Sequence, residues 1–138
     1  MPVYTPFICG ISFETVMSCL CTIDWNGMRL TATFDMPNKP GQAIQIRFTN
    51  DTIVRMVSEF PFCTEEDGPV EGIVPGHFAY LVDGASFADT QSKRWKESER
   101  ETYGAEVKHY RFLTGELCLD VLSAQPPEFC VVTLVERI

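Results

Sequence analysis

No lysine or arginine occurs before Arg29, and none occurs between Arg55 and Lys93. A secretory leader needs a basic start ahead of an apolar run. The first gap, with Glu14 interrupting the early apolar region, therefore argues against an export signal and for a cytoplasmic protein. Long hydrophobic runs are missing as well. The early one, 15–23, is nine residues, where a membrane-spanning helix needs roughly 20, so no transmembrane segment is expected. Histidine is scarce: His77 and His109 are the two candidates for imidazole chemistry. Neither a Cys-x-x-Cys pair nor the short motifs of phosphate loops, dinucleotide sites, serine hydrolases or zinc proteases occur. No metal, cofactor or catalytic residue is assigned on this basis. Internal repeats and low-complexity tracts are also lacking.

What is present is enough for one core. The 138 residues suit a single domain over 1–138, and 45% hydrophobic with 12% aromatic residues excludes a disordered chain. The net charge of −8 argues against a nucleic-acid backbone or an anionic membrane as partner, since both attract basic surfaces. Six cysteines at 9, 19, 21, 63, 118 and 130 sit mostly among apolar neighbours and read as free core thiols in a reducing compartment. Cys63 differs, since the acids at 65–67 beside it disfavour a reactive thiolate.

Residues 12–24 and 28–35 carry a strand pattern around an Asn26-Gly27 turn, the strongest hairpin signal in the chain. Residues 43–49 alternate with Ile44, Ile46 and Phe48 on one face, and 53–60 follow as a fourth strand of an antiparallel meander. Breakers from Pro61 to Gly76 predict a long surface loop, and 77–82 returns to strand. Ser86 is the expected cap of a polar helix running to Gly104 and held down by Trp95. Residues 107–113 read as a strand with Tyr110 and Phe112 on one face and Arg111 and Leu113 on the other, and with His109 half-exposed. Thr114-Gly115-Glu116 fits either a hairpin turn or a cap. The spacing of Leu117, Cys118, Val121 and Leu122 favours a helix, and 129–135 reads as a central strand buried on both faces. The expected fold is α+β: a mainly antiparallel sheet of six or seven strands with one or two helices packed on it.

Charge is the uneven feature. Residues 56–92 hold Glu59, Glu65, Glu66, Asp67, Glu71, Asp83 and Asp89 without one Lys or Arg, while acids and bases nearly cancel elsewhere. Phe60 and Phe62 interleave with these acids. Such a segment can steer a basic partner with its charge and anchor it with aromatic side chains. The expected function is a non-enzymatic acidic interaction protein, an inhibitor or toxin-immunity protein that docks on a basic protein through Glu59, Phe60, Phe62, Glu65, Glu66, Asp67, Glu71 and Asp83. The alternative is a small-molecule-binding or enzymatic α+β domain with a pocket near His77, where Cys63 or Asp83 is the candidate partner of the imidazole. A self-associating module using free strand edges is the third reading. Oligomeric state is not written in the sequence.

Overall fold

The computed structural model describes residues 2–7, 10–58 and 71–134. These form nine strands and two helices in an α+β arrangement. The strands are β1 (Val3–Pro6), β2 (Leu20–Trp25), β3 (Leu30–Asp35), β4 (Gln42–Phe48), β5 (Ile53–Ser58), β6 (Ala79–Asp83), β7 (Lys108–Leu113), β8 (Leu117–Ser123) and β9 (Glu128–Thr133). The helices are α1 (Ser86–Asp89) and α2 (Lys93–Tyr103). All strand pairs are antiparallel, in one sheet ordered β1-β6-β7-β8-β5 and another ordered β2-β3-β4-β9.

The two sheets face each other across an apolar core. Leu30, Ala32, Phe34, Ile44, Ile46 and Phe48 come from the four-stranded sheet, and Ala79, Tyr110, Phe112, Leu119 and Val121 from the five-stranded one. Phe112 ties the layers together, with its ring centroid 5.5 Å from Phe78, 6.1 Å from Phe129 and 6.4 Å from Phe48. The five-stranded sheet is buried on its other face too. Tyr4, Tyr80, Val82, Leu113 and Cys118 form a second apolar cluster there with Ala85, and Phe87 of α1 packs on Arg55 and His109.

The Asn26-Gly27 hairpin is present, but β2 starts at Leu20. Asn26 Oδ1 accepts from the amides of Met28 and Arg29 at 3.1 and 2.9 Å, and Gly27 takes φ +90°, which this turn requires. Residues 12–19 are not strand: Glu14 instead turns the chain by accepting from the amides of Val16 and Met17. The meander is corrected at its fourth member. β5 leaves β4 and pairs with β8 in the opposite sheet.

Three further expectations are overturned. Residues 117–123 are a strand rather than a helix. Thr114 Oγ1 accepts from the amides of Glu116 and Leu117 at 3.3 and 3.1 Å, and Thr114 N–H donates to the Leu117 carbonyl, which closes a hairpin. A helix cap makes the same local side-chain bonds, so the residue types could not separate the two outcomes. β9 is an edge strand with Val131 exposed, not a central one. The single polar helix is two. Thr90 Oγ1 and the Gln91 side chain bond back to the Ser86 and Phe87 carbonyls and end α1, and Ser92 caps α2 by accepting from the Trp95 amide at 3.2 Å. The expected end at Gly104 is correct, in the left-handed region at φ 71°.

Trp95 is only half-buried, and the buried residue of α2 is Glu99. Desolvation, followed by the charge of Asp51 and a hydrogen bond with it, pushes the Glu99 carboxyl above the usual range. A carboxyl whose folded pKa is raised adds stability at pH values below its unfolded pKa and loses it as pH rises through the folded one. Glu99→Gln is therefore expected to stabilise the fold at pH 7 by about 1 kcal/mol, the worth of one neutral hydrogen bond. The gain should shrink toward pH 4 in urea titrations at the two pH values; an equal effect at both contradicts the assignment.

Candidate functional site

Of the eight residues expected to bind a partner, Glu59, Phe60, Phe62, Glu65, Glu66 and Asp67 lie outside the described residues, as does Cys63. Glu71 and Asp83 are described, and the fold brings them near one another. Val3 pairs with Asp83 in the β1–β6 ladder and forms an isolated bridge to Glu71 on its other side. Two ladder spacings put the two acids roughly 10 Å apart. Backbone bonds from Tyr4 N to Glu71 O (2.7 Å) and from Glu71 N to Pro2 O (3.1 Å) fix that approach. Both acids are exposed, and Val3 between them is 40% exposed. Asp89, from the same acidic segment, ends α1.

The imagined pairing of His77 with Asp83 is not formed. His77 precedes the start of β6 and Asp83 closes its far end. The imidazole Nε2 of His77 instead lies 3.2 Å from the Phe7 carbonyl, and the ring stands edge-on to Tyr80. Two cavities, of about 290 and 310 Å³, both border His77. The first is shared with Phe13 and Phe78, the second with Ile73, Val74 and Tyr80.

Sequence reasoning missed the densest polar group among the described residues. On the outer face of the five-stranded sheet, Asp120 of β8 is fully buried between β5 and β7. Its Oδ1 accepts from His109 Nε2 and Arg111 Nε, each at 2.6 Å. Its Oδ2 accepts from the Arg55 Nε and Nη2 groups at 3.0 and 2.8 Å, and the Cys118 thiol points at the same oxygen from 3.7 Å. Arg111 also donates to the Tyr4 hydroxyl from the edge strand.

Burial alone would push the Asp120 carboxyl up. The hydrogen bond from His109 and the charge and hydrogen bond of Arg111 outweigh it and hold Asp120 well below the usual carboxylate range. Burial and the Asp120 charge together push the Cys118 thiol up to about 12, so it is a neutral packing group. Among the described residues, His109 Nδ1 and Arg111 Nη2 are buried without a hydrogen-bond partner. His109 is thus a buried network member and not the half-exposed strand residue that the alternation implied.

The cysteines divide by position. Cys118 is in the core as expected, whereas Cys19 and Cys130 are half-buried and Cys21 is exposed; all four are free. The Cys19 thiol donates to Glu116 at 3.3 Å, and that bond, with burial, raises its pKa. Among the described residues no group of three or more His, Cys, Asp and Glu side chains is placed to hold a metal ion, and no helix is long and apolar enough to cross a membrane.

Searches against protein-family models, curated proteins and solved structures find no match to this chain.

Proposed function

We propose that the chain is a non-enzymatic acidic interaction protein of the inhibitor or toxin-immunity kind, which docks on a basic protein in the cytoplasm. The observation that carries this reading is the segregation of charge: seven acids and no Lys or Arg over 56–92, in a chain that is otherwise almost neutral. Charge spread for solubility has no need to exclude every base over a run this long. The exposed acids Glu71 and Asp83 on either side of the exposed Val3 at the β1 edge support it, because an acidic rim around an apolar contact steers an encounter and then holds it.

Charge sets the on-rate more than the lifetime of such a complex. Reversing Glu59, Glu65, Glu66, Asp67, Glu71 and Asp83 to lysine is expected to slow association with the partner by about tenfold or more at low salt and to flatten its dependence on ionic strength. Stopped-flow association rates measured across a salt series check this. Rates that do not change with reversal or with salt contradict the reading. A second reading, a small-molecule or enzymatic domain, is favoured by the two cavities that border His77.

A further inference from the structure

One of the two cavities beside His77, of about 310 Å³, is walled mainly by Val16, Ile73, Val74, Pro75, Tyr80 and Leu113. The hydroxyls in its lining are already engaged. Tyr80 donates to the Val74 carbonyl at 2.8 Å and accepts from the Val74 amide at 3.1 Å. Thr15 Oγ1 donates to the Gly76 carbonyl at 3.2 Å, and Thr114 Oγ1 accepts from the turn amides of Glu116 and Leu117. A polar occupant has to compete with these bonds, whereas an apolar one only has to leave water.

Both walls are held in place. On one side the two bonds between Tyr80 and Val74 clamp the backbone ahead of His77. On the other, the Gly115 amide donates to the Thr15 carbonyl at 3.2 Å, and a Cβ at Gly115 would lie 2.0 Å from the Val16 carbonyl oxygen. Only glycine at that position lets the Thr15–Val16 backbone seat on the β7–β8 turn. A space formed in advance spares an occupant the cost of ordering it.

The mouth of this cavity is apolar and its surroundings are acidic. Val16 and Val74 are 61% and 47% exposed, and Met17 beside Val16 is 68% exposed. Single exposed apolar side chains mean little, but three at the mouth of one apolar cavity make a contact surface. The Glu14 carboxylate accepts from the Val16 and Met17 amides at 3.0 Å each, Glu116 follows Gly115, and Glu71 stands two residues before Ile73. None of these three acids takes part in an ion pair among the described residues, and no described Lys or Arg lines the cavity. Lys39 donates to the Ser12 carbonyl at 3.1 Å, and Ser12 borders the neighbouring cavity instead.

We infer that this cavity receives an aromatic side chain of the basic partner, from a segment in which lysine or arginine flanks that residue. The ring fills the apolar space, as aromatic anchors do at the centre of protein interfaces. The flanking cations meet Glu14, Glu71 and Glu116 around the mouth, which gives the contact its selectivity. This inference rests on the docking reading and adds to it the chemistry of the segment that makes the contact.

The test titrates the isotope-labelled full chain with capped peptides and follows the backbone amides of Val16, Val74, Leu113 and Gly115 by NMR. The probes are Lys-Lys-Phe-Lys-Lys, the same peptide with serine in place of phenylalanine, Glu-Glu-Phe-Glu-Glu, and capped phenylalanine alone. The first is expected to give saturable shifts at these amides at low salt, with an affinity about tenfold or more above the other three. Val74→Ser should weaken it about fivefold and Glu116→Gln about threefold, one through lost apolar area and the other through one lost charge. Both positions are exposed, so the fold persists in each variant. The inference is overturned if the first peptide gives no saturable shifts at millimolar concentration, if any of the other three probes binds as tightly, or if both variants bind like the wild type. Such a failure leaves the docking reading to its own test, the salt dependence of association with the partner, which uses neither variant, so the two failures are read apart.

Discussion

Asp120→Asn is expected to destabilise the protein by about 3–5 kcal/mol, the usual cost of removing one partner from a buried ion pair. The carboxylate receives His109, Arg111 and Arg55 on its two oxygens, and both Asp120 and Arg111 are 0% exposed. An asparagine of the same shape keeps one acceptor and turns an NH2 group toward donors, leaving a buried guanidinium without its counter-charge. Urea denaturation of the two proteins at pH 7 measures the difference, and a loss below about 1 kcal/mol contradicts the network's role. The exposed pair Arg47–Glu128, at 3.5 Å, is the internal control. Arg47→Ala should stay within about 0.5 kcal/mol, as exposed pairs do.

The same network sets the acid limb of stability. Because the folded pKa of Asp120 lies below its unfolded value, its contribution is complete above roughly pH 4 and is lost as pH falls from there toward the folded value. The wild type should therefore lose stability steadily below pH 4, and the asparagine variant should show a shallower slope over that interval.

The second large effect is expected at Phe112. Phe112→Ala removes a fully buried ring that contacts Phe48 and Phe129 of the opposite sheet and Phe78 beside it on its own. Truncation of a buried aromatic costs about 3–5 kcal/mol through lost transfer energy and the cavity left behind. Folding stabilities of single domains are about 5–15 kcal/mol, so the variant should sit near the edge of unfolding at room temperature. Retention of most of the wild-type urea midpoint would mean that the sheets are not held together at this ring.

The Asn26-Gly27 hairpin, the alternating β4, the two faces of β7 and the α2 stop at Gly104 were legible because each rests on local chemistry: turn residues, period-two alternation, or a glycine at positive φ. The misreading of β8 has a physical cause. The five-stranded sheet is covered on both faces, so the apolar residues of β8 fall on both sides of Asp120 without alternating, and helical spacing matches them by coincidence. The partner of β5 is β8, 65 residues further along at the Arg55–Asp120 contact, and no local pattern encodes that pairing.

One signal for the buried network was available. Asp120 interrupts the run from Leu117 to Leu122, and a carboxylate inside a buried strand requires charged partners. Arg111 and His109, on the neighbouring strand of the hairpin, were the nearest candidates. Of the proposed docking surface, the sequence showed the distribution of charge but not the placement of Glu71 and Asp83 on the two sides of Val3, which depends on the pairing of β1 with β6.

The docking reading is tested most directly by affinity capture from the native host's lysate at low salt, using three immobilised baits: the wild type, the lysine-reversed variant and the Asp89→Asn variant. Proteins are eluted along a salt gradient and identified by mass spectrometry. The account predicts one basic protein held by the wild type and by Asp89→Asn, released as rising salt shortens the screening length to a few ångströms, and missing from the reversed bait. An empty wild-type bait, or a protein captured equally by the reversed variant, contradicts charge-steered docking and moves the weight of the account to the cavities beside His77.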